Sequence, residues 1–128
     1  MAHHYGNATT SEHWTIACNN MIHRVCTLYQ DNYIGVCQLP QSPGVSPKNC
    51  IHELERCVKE LGFIGCNLNP DPSGGHWSGP PLTDRSWYPL YEKLCDLKIL
   101  TDGLSLDDAA YGLAESARVH FNGRRTSA

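Results

Sequence analysis

YIGVCQLPQSPGVSPKNCIHELERCVKELGFIGCNL, residues 33–68, reads as strand, helix, strand. YIGVCQL at 33–39 and FIGCNL at 63–68 are short apolar runs rich in strand formers and bounded by turn residues, the pattern of buried strands. Between them Ser46 and Pro47 supply an N-cap and a proline at the first helical position. Ile51, Leu54, Val58 and Leu61 then recur on one helical face, and Gly62 closes the helix. A helix of this length between two strands is the crossover that a parallel pair requires, so the predicted class is α/β.

Working outward, Trp14, Ala17, Cys18, Met21, Ile22, Val25 and Leu28 recur at helical spacing, which predicts an amphipathic helix from Ser11 to Tyr29 with that stripe inward and Thr10 or Ser11 as cap. On the other side lies NLNPDPSGGHWSGPPLTDR, residues 67–85, a loop at the carboxyl end of the second strand. Loops at that edge of a parallel sheet vary freely while strands and helices carry the packing, which makes it the place to expect a ligand. Thr83 or Asp84 starts a further helix carrying Trp87, Leu90, Tyr91, Leu94 and Leu97. Residues 1–99 form one unit in this reading. Residues 100–128 form a tail of different character, with a last helix over 104–121 capped by Ser105.

The 128 residues suit one domain with a modest core and are too few for a closed eight-stranded α/β barrel of about 250. A formal net charge of -3 and the lack of any long run of Lys and Arg argue against a nucleic-acid partner. No apolar stretch approaches the length that spans a bilayer, and the first residues lack the pattern of a secretory signal, so no membrane partner and a cytoplasmic location are expected. The seven cysteines form no CxxC pair, and most fall within the apolar pattern, which predicts free, buried thiols.

His76 is the main candidate for chemistry. Gly74 and Gly75 before it allow close backbone approach to a ligand, Trp77 after it can wall a pocket, and an imidazole can act as acid or base. Asn67 and Asn69 share one face if the strand extends that far, and with Asp71 they offer amides and a carboxylate, although Asx turns account for them nearly as well. Arg85 is the basic side chain of this loop and can pair with an anion. His3 and His4 are adjacent and point apart in an extended segment, so they do not form a metal pair, although one of them can face a substrate. HxH, HExxH, GxSxG, GxxxxGK and GxGxxG are all absent.

Several stretches within residues 1–99 resemble the amidohydrolase superfamily, in its branch of hydratases and decarboxylases: MAHH at 1–4, DNYIGVCQLPQSPGVSPKNCI at 31–51, ELERCVKELGF at 53–63, NLNPDPSGGHW at 67–77 and PPLTDRSWYPLYEK at 80–93. The resemblance implies part of a (β/α)8 TIM barrel, here two parallel strands with about four helices. It also implies zinc at the carboxyl ends of the strands, and hydration of an unsaturated, multiply carboxylated keto acid. His76 then becomes the catalytic candidate, and His4, Asn67, Asn69 and Arg85 the substrate-facing ones. The family's HxH pair and later metal ligands have no counterpart here, so no zinc ligand carries over and none is expected to be retained by this chain alone. The expectation is an internal fragment, inactive by itself. A homo-oligomer or a complementing chain is its possible partner, and a non-catalytic carboxylate-binding module is the alternative.

Overall fold

The structure, a computed structural model, describes residues 7–73 and 75–103, with the backbone alone for 100–103. Its elements are α1 (Ala8–Leu28), β1 (Val36–Cys37), α2 (Ile51–Lys59), β2 (Gly65–Leu68), α3 (Tyr88–Leu97) and β3 (Leu100–Gly103). The strands pair in parallel in the order β1-β2-β3, with Val36 opposite Gly65 and Gly65 opposite Leu100. α2 and α3 are the two crossovers, and Lys93 of α3 reaches Glu55 of α2 at 3.3 Å, so both helices lie on one face of the sheet.

The predicted strand–helix–strand unit is present, with shorter strands than the apolar runs suggested. Ser46 caps a 3-10 turn, Pro47–Cys50, that leads into α2, and Gly62 leaves the helix at φ +70, where a side chain would be strained. Gly35 has a different constraint. A Cβ there would meet the Phe63 ring at 2.3 Å, so the glycine lets the chain entering β1 lie flat against the residue entering β2. Cys37, Cys66 and Leu68 of the strands pack with Leu54 and Cys57 of α2 and Leu90 and Leu94 of α3 to form the core.

The strand number needs one correction. Residues 100–103 form β3 and extend the sheet beyond Ile99, giving three parallel strands rather than the two expected. The segment ILTDG carries turn-type residues, yet backbone pairing to β2 dictates its conformation. Three α-helices are present among the described residues, and the helix predicted over 104–121 lies outside them.

The larger correction concerns α1. Asn7, not Thr10 or Ser11, caps it, accepting the Thr10 N–H at 2.9 Å. Its polar side is the buried one: Ser11, Thr15 and Asn19 are each 0% exposed, whereas Trp14, Met21, Val25 and Leu28 of the apolar stripe are exposed. Periodicity establishes the helix and leaves open which side meets the core. Here the choice is made by Asn19. Its amide donates to the Gln38 carbonyl at 3.0 Å and to Glu53 Oε1 at 2.7 Å, and its Oδ1 accepts the Gln38 N–H at 2.8 Å. Burial pushes the Glu53 carboxyl up, but hydrogen bonds from Arg56, Asn19 and Cys57 outweigh it and hold the group below its usual range.

Replacing Asn19 by Ala strands the Gln38 backbone groups and removes a donor from buried Glu53. We expect a loss of about 3 kcal/mol, the cost of an unsatisfied buried polar group at the upper end of its range, read as a lower urea midpoint. A midpoint within error of the parent chain would contradict this assignment.

Candidate functional site

The loops after β1 and β2 meet at the carboxyl edge of the sheet, and one side chain registers them. Gln41 donates from Nε2 to the Asn69 carbonyl and accepts the Asn69 N–H at Oε1, both at 2.8 Å. A carboxamide thereby pairs with a backbone as a neighbouring strand would, although β2 itself ends at Leu68.

Beyond it, Asp71 organises the second loop. Asn69 Oδ1 accepts the Asp71 N–H at 3.0 Å. The Asp71 carboxylate in turn accepts the Ser73 N–H at 3.0 Å, the Ser73 hydroxyl, the Gly75 N–H at 2.6 Å and the Trp77 N–H at 3.2 Å. Burial pushes this carboxyl up, while those donors hold it below the usual aspartate range. Gly75 at φ +101 and Trp77 at φ +49 flank His76, so both amides beside the histidine are fixed to one carboxylate. The loop returns through Leu82, whose carbonyl accepts the Tyr91 hydroxyl at 2.6 Å, and Trp87 stacks on Tyr91.

The candidate residues are distributed as follows. Asn67 is half-buried on β2, between Cys66 and Leu68, which face the helices; strand alternation puts it on the opposite face. Asn69 is half-buried just past the strand, its backbone held by Gln41 and its Oδ1 occupied by the Asp71 amide. His76 is exposed at the crest of the loop, and Arg85 is exposed at the start of the 3-10 turn that leads into α3. His4 and His3 lie outside the described residues. The structure thus ties Asn69 to the His76 loop through Asp71 and connects neither Asn67 nor Arg85 to it by a hydrogen bond. Between the two loops lies a cleft of about 320 Å³, and none of Asn67, Asn69, His76 or Arg85 lines it.

Gln41 and Asn19 are organising residues that the sequence reading did not single out, whereas Asp71 was weighed there with Asn67 and Asn69, and the Asx turn is the role it takes. For Asp71 a signal exists, since Asp followed two residues later by Ser and then by glycines is the pattern of an Asx turn. Gln41 has none, because its partner is a backbone 28 residues away.

Among the described residues no group of three or more His, Cys, Asp or Glu side chains is placed to hold a metal ion. The buried thiols do not fit one either. Contact with Cys57 pulls the Cys37 thiol down, but Cys66 and burial push it up further; Cys37 and burial push up Cys57, and burial pushes Cys50 up to about 12. All three lie in the packed core, and among the described residues no set of ligand-type side chains is grouped around them to hold a metal. The described residues therefore do not fit the zinc that the resemblance implies.

Changing Asp71 to Ala should speed amide hydrogen exchange at Gly75 and Trp77 at least ten-fold while leaving α2 protected. In the parent chain the same amides should open only as pH falls below the ordinary aspartate range near 3.9, because a lowered carboxyl contributes its stabilisation above that range and loses it on protonation. Unchanged exchange in the Asp71→Ala chain would contradict this account of the loop.

Residues 1–118 match the amidohydrolase family. Over 99 residues the chain is 58% identical to 2-keto-4-carboxy-3-hexenedioate hydratase of Sphingobium sp. (strain NBRC 103272 / SYK-6), covering 77% of this chain and 29% of the relative. The crystal structure of 4-oxalomesaconate hydratase from Rhodopseudomonas palustris superposes with a TM-score of 0.74 at 59% identity, over 75% of this chain and 29% of that one. 2,6-Dihydroxybenzoate decarboxylase from Rhizobium superposes with a TM-score of 0.62 at 19% identity, a likeness of fold. The chain spans less than a third of the length of each of these relatives. With its parallel strand–helix units and this match, the chain belongs to the amidohydrolase family.

Proposed function

We propose that this chain supplies a substrate-facing segment of a hydratase that acts on unsaturated polycarboxylic keto acids, the chemistry named by the two hydratase relatives. The observation that carries the reading is the loop at the carboxyl end of β2, where Asp71 fixes the amides on both sides of exposed His76. Hydration of a conjugated double bond needs a group that takes a proton from water and one that returns a proton to carbon. The imidazole of His76 can serve in either step. Arg85 offers a guanidinium for a substrate carboxylate, and Asn67 offers an amide on the sheet face away from the helices. His4 and the side-chain NH2 of Asn69 complete the substrate-facing set in this reading. The zinc of the family comes from ligands other than the described residues, and the isolated chain is not expected to turn over substrate.

A second reading is favoured by α1. Trp14, Cys18, Met21, Val25 and Leu28 follow one another at alternating steps of four and three, a continuous seam along the helix, and Met21 and Leu28 are 69% and 66% exposed. Such a seam suits completion by another copy or by a complementing chain.

Citrate, a tricarboxylate, provides the test of the first reading. Titrated into the labelled chain, it should shift amide signals around Asn67, His76 and Arg85, and Arg85→Ala or His76→Ala should weaken binding at least five-fold. No saturable shift, or shifts indifferent to both substitutions, would contradict it. For the second, sedimentation should show self-association that Met21→Glu with Leu28→Glu abolishes; a monomer at all concentrations would leave only a complementing chain.

A further inference from the structure

The cleft between the two loops is lined by Ser42, Pro43, Pro47, Pro72, Pro80 and Trp87 together with Gln41 and smaller residues, and no Lys, Arg, His, Asp or Glu is among the described lining residues. A multiply charged carboxylate entering it would lose its hydration without gaining a cation from these residues. A neutral occupant suits this lining better than the polycarboxylate discussed above.

Most polar groups in the lining are already committed. Both ends of the Gln41 amide are bound to Asn69. Ser73 donates to Asp71 and accepts from the Ser78 N–H, and Ser46 accepts the Lys48 N–H. The indole N–H of Trp87 donates to the Pro80 carbonyl at 3.4 Å. Ser42 differs. The residue is 5% exposed, it lines the cleft, and its hydroxyl is buried with no hydrogen-bond partner. Its carbonyl, which accepts the Val45 N–H at 3.2 Å, already serves the turn, so the side chain is not needed to form it. A buried hydroxyl without a partner costs stability, and a ligand that offers one regains it.

We propose that this cleft is a binding site for a small neutral aromatic alcohol of the phenol type, its hydroxyl hydrogen-bonded to Ser42 and its ring held among the proline rings and Trp87. The volume of about 320 Å³ sits at the small end of ligand sites and is about twice that of a cavity that takes up benzene, so a substituted single ring fits with room to spare. Proline rings present C–H groups to the negative face of an aromatic ring, which prefers such edges. The Ser42 hydroxyl turns from its unpartnered position toward the ligand as it binds, a step between staggered rotamers.

The test is a titration of the full chain with phenol, followed by amide shifts, alongside benzoate as the charged analogue and toluene as the analogue without a hydroxyl. Phenol should give saturable shifts confined to residues 42–47, 72–73, 79–80 and 86–87, and benzoate at neutral pH should bind at least ten-fold more weakly. Ser42→Ala should weaken phenol at least five-fold and leave toluene unchanged. Gly79→Trp, at a position with open space around its Cβ, should block both ligands. A cleft that holds only water would give no saturable phenol shifts, and that result would overturn the proposal. Equal phenol binding to the Ser42→Ala chain, or shifts centred on Asn67 and His76, would overturn it as well. The citrate shifts expected around Arg85 do not depend on either outcome.

Discussion

Two carboxamides hold this structure together by treating backbone as a strand partner. Asn19 satisfies both the N–H and the carbonyl of Gln38, just past β1, and Gln41 does the same for Asn69, just past β2. Each pair sits where regular strand pairing stops and backbone groups would otherwise be left open in a partly buried place. The first pair locks α1 to the exit of β1 and, through Glu53 and Arg56, to α2. The second sets the loop after β1 in register with the loop after β2. The first helps to direct the segment carrying Gln41, and the second sets where the Asp71 turn begins.

From that origin the site follows by local chemistry. Asn69 holds the Asp71 amide, Asp71 gathers the amides on both sides of His76, and Tyr91 and Trp87 of the next helical segment receive the returning chain. The loop anchors the backbone on both sides of His76 and leaves its side chain exposed. The sheet below contributes Asn67 by alternation alone, because the helices claim Cys66 and Leu68 on the other face. The loops lie at the carboxyl ends of parallel strands, the edge of an α/β sheet where ligands generally bind.

How much of this could be read from the sequence depended on distance along the chain. The α2 crossover was legible because Ser46, Pro47, the apolar spacing and Gly62 are local signals that agree with one another. The approach to α3 was legible only in part: Asp84 accepts the Ser86 N–H at 2.8 Å as a cap should, but it caps the 3-10 turn Arg85–Trp87, and α3 itself begins at Tyr88. The orientation of α1 was not, because the decision rests on contacts of Asn19 with residues 19 and 34 positions away, which outweigh the apolar stripe. β3 was hidden behind Thr101, Asp102 and Gly103, residues that spell a turn until β2 offers them a ladder. In the loop, His76 stood out by its glycines, whereas Asp71 and Gln41, which fix its place, looked like ordinary turn residues.

Under the proposed function, this segment carries the substrate side of a family site and not its metal side. Metal content tests this most directly: the purified chain is washed with chelator, reloaded with zinc and analysed for bound metal, with hydration of 4-oxalomesaconate followed on the same sample. The account predicts neither stoichiometric zinc nor turnover. One zinc per chain with turnover would contradict it and would show that His76, with histidines beyond the described residues, builds a complete metal site.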